Sequence, residues 1–130
     1  VAAETCRRLG IDCRPSGTVV VVQGPRFSTR AESQEFRERG WHVINMTQYP
    51  EVILARELGM CYLNISLITD YDVGLEGHPE VRPVTHQEVL RVFEQNLERL
   101  RTLLWELIPA IPAERHCACA RAVEEARGGH

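Results

Sequence analysis

A run of β-branched residues constrains the fold of this chain more than any other feature. Thr18–Gln23 contains four consecutive valines, and such continuous apolar character is typical of a strand covered on both faces. A Gly-Pro turn ends the run, and a capping box at Thr29–Glu32 then begins a helix that we expect to end near Gly40. A buried strand followed directly by a helix predicts an α/β domain.

The alternation of strands and helices continues to the middle of the chain. Val43–Ile44 form the centre of a short second strand, Pro50 suits the first position of a helix, and Gly59 ends that helix. The apolar run Met60–Thr69 then predicts a long buried strand. The resulting fold class is α/β, with a mixed, largely parallel β-sheet flanked by helices.

The last third of the chain is predicted to be helical. Residues 73–84 are rich in Gly and Pro and predict a loop. A second capping box at Thr85–Glu88 begins a long amphipathic helix that ends at Pro109. Because the tail after this point is Ala-rich and helix-prone, we divide the chain into a domain part, residues 1–112, and a helical tail, residues 113–130.

Composition excludes several classes of partner. Fifteen basic and eighteen acidic residues give a net charge of -3 without a Lys/Arg block, which argues against nucleic acid. No apolar run approaches the roughly 20 residues that a membrane span requires. The five cysteines are odd in number, as expected for a reduced cytoplasmic protein rather than a disulfide scaffold. The chain does not begin with Met, and its first residues have the pattern typical of the middle of a helix. We therefore expect the chain to be a piece of a longer protein.

Polar clusters follow the predicted strands, where open α/β sheets bind ligands. The first cluster spans residues 24–33 and places Phe27 and Ser28 just before a helix N-terminus. An exposed Phe27 could stack on a flat heterocycle. The alternative is that Phe27 lies in the core and Arg26 forms a surface ion pair.

Two further clusters follow the second and third predicted strands. In the second, the Thr47 hydroxyl could contact an anion near a helix N-terminus, or simply make a hydrogen bond at the start of that helix. In the third, Asp70 and Asp72 are two residues apart and point the same way on a strand, so repulsion keeps a proton on one of them. Such a pair suits the N7 and 6-amino edge of adenine. The alternative is a helix or loop cap with a solvated Asp.

The three clusters together resemble a known family. The chain resembles the methylthioadenosine phosphorylase branch of the trimeric purine nucleoside phosphorylases. The resemblance rests on the stretch GPRFSTRAES, on the VINMT, PEV, LA and ELG stretches that follow it, and on TDYD. The similarity runs from Gly17 to Pro109. It implies a purine nucleoside phosphorylase-like fold, of which this chain is the C-terminal part, and a homotrimer.

The resemblance also implies a role for each residue of the first two clusters. Phe27 would lie against the purine, and Ser28 would help to hold the base or its water. Met46 would pack on the ribose, and Thr47 would contact phosphate. No metal or organic cofactor is implied, and inorganic phosphate is the co-substrate.

In the last part of the chain the resemblance assigns Asp70 and Asp72 to N7 and the 6-amino group of the purine. Val89 and Leu90 would line the pocket for the 5′-substituent. His86 departs from the methylthio-specific pattern and resembles enzymes that hydrogen-bond a 5′-hydroxyl, so adenosine is a further candidate substrate. The alternative for His86 is a polar residue of the first helical turn.

The implied reaction is phosphorolysis of the N-glycosidic bond of a 6-aminopurine nucleoside, 5′-methylthioadenosine first, to the free base and a ribose-1-phosphate derivative. Asp70, beside Asp72, would be the general acid at N7. The family builds most of its phosphate site from N-terminal loops, which we expect this chain to lack, so the isolated chain should be inactive. The alternatives are an enzyme for 6-oxopurine nucleosides and an assembly subunit without turnover.

One motif lies outside the resemblance. His116-Cys117-Ala118-Cys119 could suggest zinc, but the sequence shows no second ligand pair, and we predict no metal site. A redox-active or subunit-stabilising pair of cysteines is the alternative.

Overall fold

The computed structural model describes residues 1–72 and 85–128, apart from the side chains of His86 and Ala120. Helices and two short strands alternate along this part of the chain. In order they are α1 (Ala2–Arg8), β1 (Val19–Val21), α2 (Arg30–Glu38), β2 (Val43–Asn45), α3 (Glu51–Glu57), α4 (His86–Leu107) and α5 (Cys119–Gly128).

The sheet of the described residues consists of β1 and β2, which pair in parallel. Val19 lies opposite Val43, and Val21 lies opposite Asn45. The Val22 N–H extends the ladder by donating to the Asn45 carbonyl oxygen at 2.9 Å. Both strands occur where the sequence predicted them, and α2 forms the crossover that a parallel pair requires.

Both predicted capping boxes are confirmed. At α2 the Thr29 hydroxyl accepts from the Glu32 N–H at 3.3 Å, and the Glu32 carboxylate accepts from the Thr29 N–H at 2.7 Å. Thr85 and Glu88 repeat the arrangement at α4, with distances of 3.3 and 2.9 Å. Each box satisfies two of the N–H groups that a helix start leaves without intrahelical partners.

Glycines end two helices as predicted. Gly40 follows α2 with φ 68°, and Gly59 follows α3 with φ 64°. This left-handed conformation is unfavourable for any residue with a Cβ atom, so Gly is the natural stop. The start of α3 differs from the prediction by one residue, since Pro50 is its N-cap and the helix begins at Glu51.

The strand predicted at Met60–Thr69 is wrong. Residues 60–70 have no regular secondary structure, and Met60, Leu63 and Ile68 are exposed. A strand forms only when a neighbour completes its hydrogen-bond ladder. Within the described residues β1 and β2 pair with each other, so the larger mixed sheet of the prediction is a two-stranded parallel one here.

A small core joins α1 to α4. Cys6 on α1 and Leu103 and Leu107 on α4 are buried together, and Ile65 packs against them. This contact closes α1 onto the last turns of α4. The helix predicted in the tail corresponds to α5, and the domain boundary at residue 112 stays a prediction.

No helix in residues 1–72 and 85–128 is both long enough and apolar enough to cross a lipid bilayer.

Candidate functional site

The carboxyl ends of β1 and β2 bring the first two clusters together. Because the strands are parallel, the segments that follow them leave the sheet at the same edge. Gly24 passes so close to Met46 that a Cβ atom at this position would lie 3.2 Å from the Met46 sulfur. A side chain at residue 24 would therefore push Met46 away from the loop that carries Phe27.

A hydrogen bond ties the third cluster to the first. The Ser28 hydroxyl donates to both carboxylate oxygens of Asp72, at 2.9 and 3.1 Å, although the two residues are 44 positions apart. Asp72 is half-buried. We call the group formed by Phe27, Ser28, Met46, Thr47 and Asp72 the strand-edge site.

Sequence reasoning missed Ser33, which supports this contact. Its hydroxyl donates to the Ser28 oxygen at 3.1 Å, and Ser33 is only 4% exposed. The hydroxyl of Ser33 thus orients that of Ser28, whose proton points to Asp72. Ser33 lies four residues after the N-cap Thr29, on the first turn of α2. Residues four apart share a helix face, and this spacing is the feature of the sequence that could have placed Ser33 near Ser28.

An ion pair fixes the loop that carries Phe27 and Ser28. The Arg26 guanidinium donates to both oxygens of Glu32 at 2.7 Å and to the Phe27 carbonyl oxygen at 3.0 Å. The bond from Arg26, followed by the bond from the Thr29 N–H, lowers the pKa of Glu32 from 4.5 to about 2. The interpretation of Arg26 as a surface ion pair is confirmed, and the pair also anchors the loop to α2.

Protonation of Glu32 should therefore loosen this loop in acid. Since the folded-state pKa lies below the unfolded one, the stability that Glu32 contributes is present above pH 4.5 and is lost as the pH falls towards 2. We expect Glu32→Gln to unfold at lower urea than the unsubstituted chain at pH 7, with the difference vanishing near pH 2. Glu38→Gln, which removes a carboxylate from the same helix, should keep the acid-dependent fall. An undiminished difference at pH 2 would contradict this assignment.

Phe27 is not a core residue. It is 81% exposed, which excludes the interpretation that its ring fills the protein interior. Met46, which follows β2, is half-buried. The strand-edge site therefore offers an open aromatic face and a partly exposed thioether, two groups able to contact a flat ligand.

Thr47 does not cap α3. The cap position is Pro50, and no side chain caps this helix. The exposed Thr47 follows a turn in which the Asn45 side-chain oxygen accepts from the N–H groups of Thr47 and Gln48, at 3.4 and 3.3 Å. The alternative role at the helix start is wrong, and the Thr47 hydroxyl lies at the exposed edge of the site.

Asp70 differs from Asp72. Asp70 is exposed and accepts a hydrogen bond from the Thr69 hydroxyl, whereas Asp72 is tied to Ser28. The prediction that Asp70 and Asp72 point the same way rested on a strand, and residues 60–72 form none. The two acids therefore have different environments.

The predicted residues of α4 are only partly described. Val89 is half-buried and Leu90 is exposed, in the first turns of the helix. His86 is the first residue of α4, and its side chain lies outside the described part of the chain. The loop predicted at residues 73–84 also lies outside it.

A second group of reactive side chains lies elsewhere. The sulfurs of Cys61 and Cys117 are 3.2 Å apart, and that of Cys119 lies within 4.8 Å of both. We call these three residues the cysteine cluster. The N–H of Cys119, followed by the Cys61 thiol, lowers the pKa of Cys117 to about 7, while the contact with Cys117 raises that of Cys61. All five cysteines are free thiols.

A cavity of about 500 Å³ adjoins the cysteine cluster. It contains no residue predicted to bind the nucleoside or phosphate. Its lining consists of Glu114, Arg115, His116, Cys117 and Arg121.

Comparison with known sequences gives matches along almost the whole chain. A sequence model of the phosphorylase superfamily matches residues 1–109. The S-methyl-5'-thioadenosine phosphorylase of Thermofilum pendens is 52% identical over 123 residues, which are 95% of this chain and 45% of that relative. A probable 6-oxopurine nucleoside phosphorylase of Dictyoglomus turgidum is 47% identical over 124 residues, again 95% and 45%.

Solved structures give the same result. Methylthioadenosine phosphorylase from Schistosoma mansoni, in complex with adenine, superposes with a TM-score of 0.76 at 31% identity. The match covers 95% of this chain and 48% of that one. The chain thus spans under half the length of the relatives that it matches.

Proposed function

The chain belongs to the phosphorylase superfamily, and we propose that it supplies the purine- and ribose-binding side of a site where phosphate cleaves the N-glycosidic bond of a 6-aminopurine nucleoside. The preferred substrate is 5′-methylthioadenosine, and adenosine is a further one. The products are adenine and the corresponding 1-phosphorylated sugar. The enzyme is thus a pentosyltransferase.

The observation that carries this proposal is the bond from Ser28 to Asp72, which joins two clusters at the strand edge. The Asp72 carboxylate can accept from the 6-amino group of adenine, and the Ser33–Ser28 relay holds it in place. Phe27 provides an exposed ring to stack on the purine. Met46 would pack on the ribose, and Thr47 would contact phosphate.

The chemistry assigns the two acids different tasks. As the glycosidic bond breaks, the purine gains negative charge, and a proton donated by Asp70 at N7 stabilises the leaving group. Phosphate attacks the sugar from the opposite face, and its negative charge stabilises the developing cation. The reaction needs no metal or organic cofactor, and phosphate is the co-substrate.

Further parts of the family fold complete the site in this proposal. The chain exposes large apolar side chains such as Leu58 and Trp105, and Trp105 is 79% exposed. Soluble proteins rarely leave extensive apolar surface without a partner. We infer that the rest of the phosphorylase fold, with most of the phosphate site, and neighbouring subunits of a homotrimer cover this surface.

A chimera tests the proposal. We would fuse the part of the Thermofilum pendens relative that this chain does not match to the N-terminal side of Val1, and measure adenine release from methylthioadenosine. We expect release that depends on phosphate, and no turnover by the 130-residue chain alone. A folded chimera that releases adenine equally fast without phosphate, or binds purine without turnover, would refute the proposal.

A second candidate is an enzyme for 6-oxopurine nucleosides, because the Dictyoglomus turgidum relative is a probable enzyme of that kind. The acceptor character of Asp72 opposes it, since a 6-oxo group is also an acceptor and needs a donor opposite. Comparing turnover of methylthioadenosine, adenosine and inosine by the chimera decides between them. The comparison of adenosine with methylthioadenosine also tests the proposed contact of His86 with a 5′-hydroxyl.

A further inference from the structure

The cysteine cluster has the dimensions of a metal site. Tetrahedral zinc with Zn–S bonds of about 2.3 Å separates its sulfur ligands by about 3.8 Å. The sulfurs of Cys61 and Cys117 are 3.2 Å apart, and the third sulfur, of Cys119, lies within 4.8 Å of both. Each separation is therefore within about 1 Å of the value that zinc requires.

We propose that Cys61, Cys117 and Cys119 form a three-thiolate site for a thiophilic closed-shell cation of the Zn²⁺ type. Soft thiolate ligands select such ions over hard cations such as Mg²⁺. Three protein ligands leave the fourth position to water. The cavity beside Cys117 provides the room for that water molecule.

The surroundings of the cluster contain more positive than negative charge. Zn²⁺ replaces the thiol protons, forms three Zn–S bonds and leaves a net charge of -1, without oxidation of any group. Arg115, Arg121 and the acidic Glu114 line the same cavity as Cys117, so basic groups outnumber acidic ones there and can offset this charge. The motif alone did not indicate the site because the third thiol, Cys61, lies 56 residues before Cys117.

The site would fasten the tail to the segment after α3. The Arg115 guanidinium already donates to the Gly59 carbonyl oxygen at 2.9 Å, two residues before Cys61. A cation coordinated by all three thiolates would link Cys61 in this segment to Cys117 and Cys119 at the start of α5. Its role is thus to hold the tail in place, and it is separate from the strand-edge site.

The experiment uses the fully reduced chain and Zn²⁺ alone. We expect one equivalent to bind, and peptide mapping after N-ethylmaleimide treatment to show that Zn²⁺ protects Cys61, Cys117 and Cys119. The exposed Cys13 should react at the same rate with and without the ion, which provides an internal control. Absence of stoichiometric binding, or equal protection of Cys13, would overturn the proposal.

Two variants sharpen the result. Loss of an outer partner of a metal ligand typically weakens binding 10- to 100-fold, so Cys119→Ser, which removes a ligand itself, should raise the Kd for Zn²⁺ by more than about 100-fold. Cys13→Ser should leave the Kd unchanged. A Cys119→Ser protein that binds Zn²⁺ as tightly as the unsubstituted chain would overturn the assignment. The assignment would also be overturned if Cys61 and Cys117 were found as a disulfide and their thiols, after reduction, did not bind Zn²⁺.

Discussion

Asp70→Asn in the active chimera should lower kcat for phosphorolysis of methylthioadenosine roughly 100- to 10,000-fold, the usual contribution of a general acid. An amide cannot deliver a proton to N7, so the purine must leave as an anion. Binding of adenine should change far less, since the amide still fits the same space. Steady-state rates and adenine affinity, measured on the same preparation, separate the two effects.

The neighbouring acid gives a different signature. Asp72→Asn replaces an acceptor by a group that can also donate, so the ratio of inosine to methylthioadenosine turnover should rise. Asp12→Asn, which changes an exposed Asp outside the strand-edge site, should leave both rates unchanged. If Asp70→Asn kept kcat within threefold of the parent chimera, Asp70 would not be the acid.

Local chemistry accounts for what the sequence predicted well. The two capping boxes and the stops at Gly40 and Gly59 each depend on residues within four positions of one another, and the structure contains all of them. The pairing of β1 with β2 follows from two apolar runs separated by one helix. Because these strands end at one edge, the adjacency of Gly24 and Met46 could also be anticipated.

Contacts between distant residues could not be predicted in the same way. Nothing in the sequence around Ser28 selects Asp72, 44 residues later, and nothing around Cys117 selects Cys61. The error at Met60–Thr69 has the same origin. Apolar character shows that this segment favours burial, but only a neighbouring strand turns it into β-structure, and the described residues provide none for it.

Leu107→Ala should destabilise the chain by about 2–4 kcal/mol, because a deleted buried leucine side chain loses its transfer energy and leaves a cavity. Leu107 is 4% exposed and packs with Cys6 and Leu103 where α1 meets the end of α4. So small a core has few neighbours that can relax into the gap. Urea unfolding followed by circular dichroism should show a midpoint shifted to lower urea, or the loss of a cooperative transition.

Trp105→Ala is the matched control, since it removes a larger side chain from the same helix at a position that is 79% exposed. In the isolated chain it should change the free energy of unfolding by less than about 0.5 kcal/mol. In the chimera, further parts of the fold and neighbouring subunits are proposed to cover this surface. There the same substitution should lower the free energy of unfolding by a larger amount. If Trp105→Ala destabilised the isolated chain as much as Leu107→Ala, the contact of α1 with α4 would not be its core.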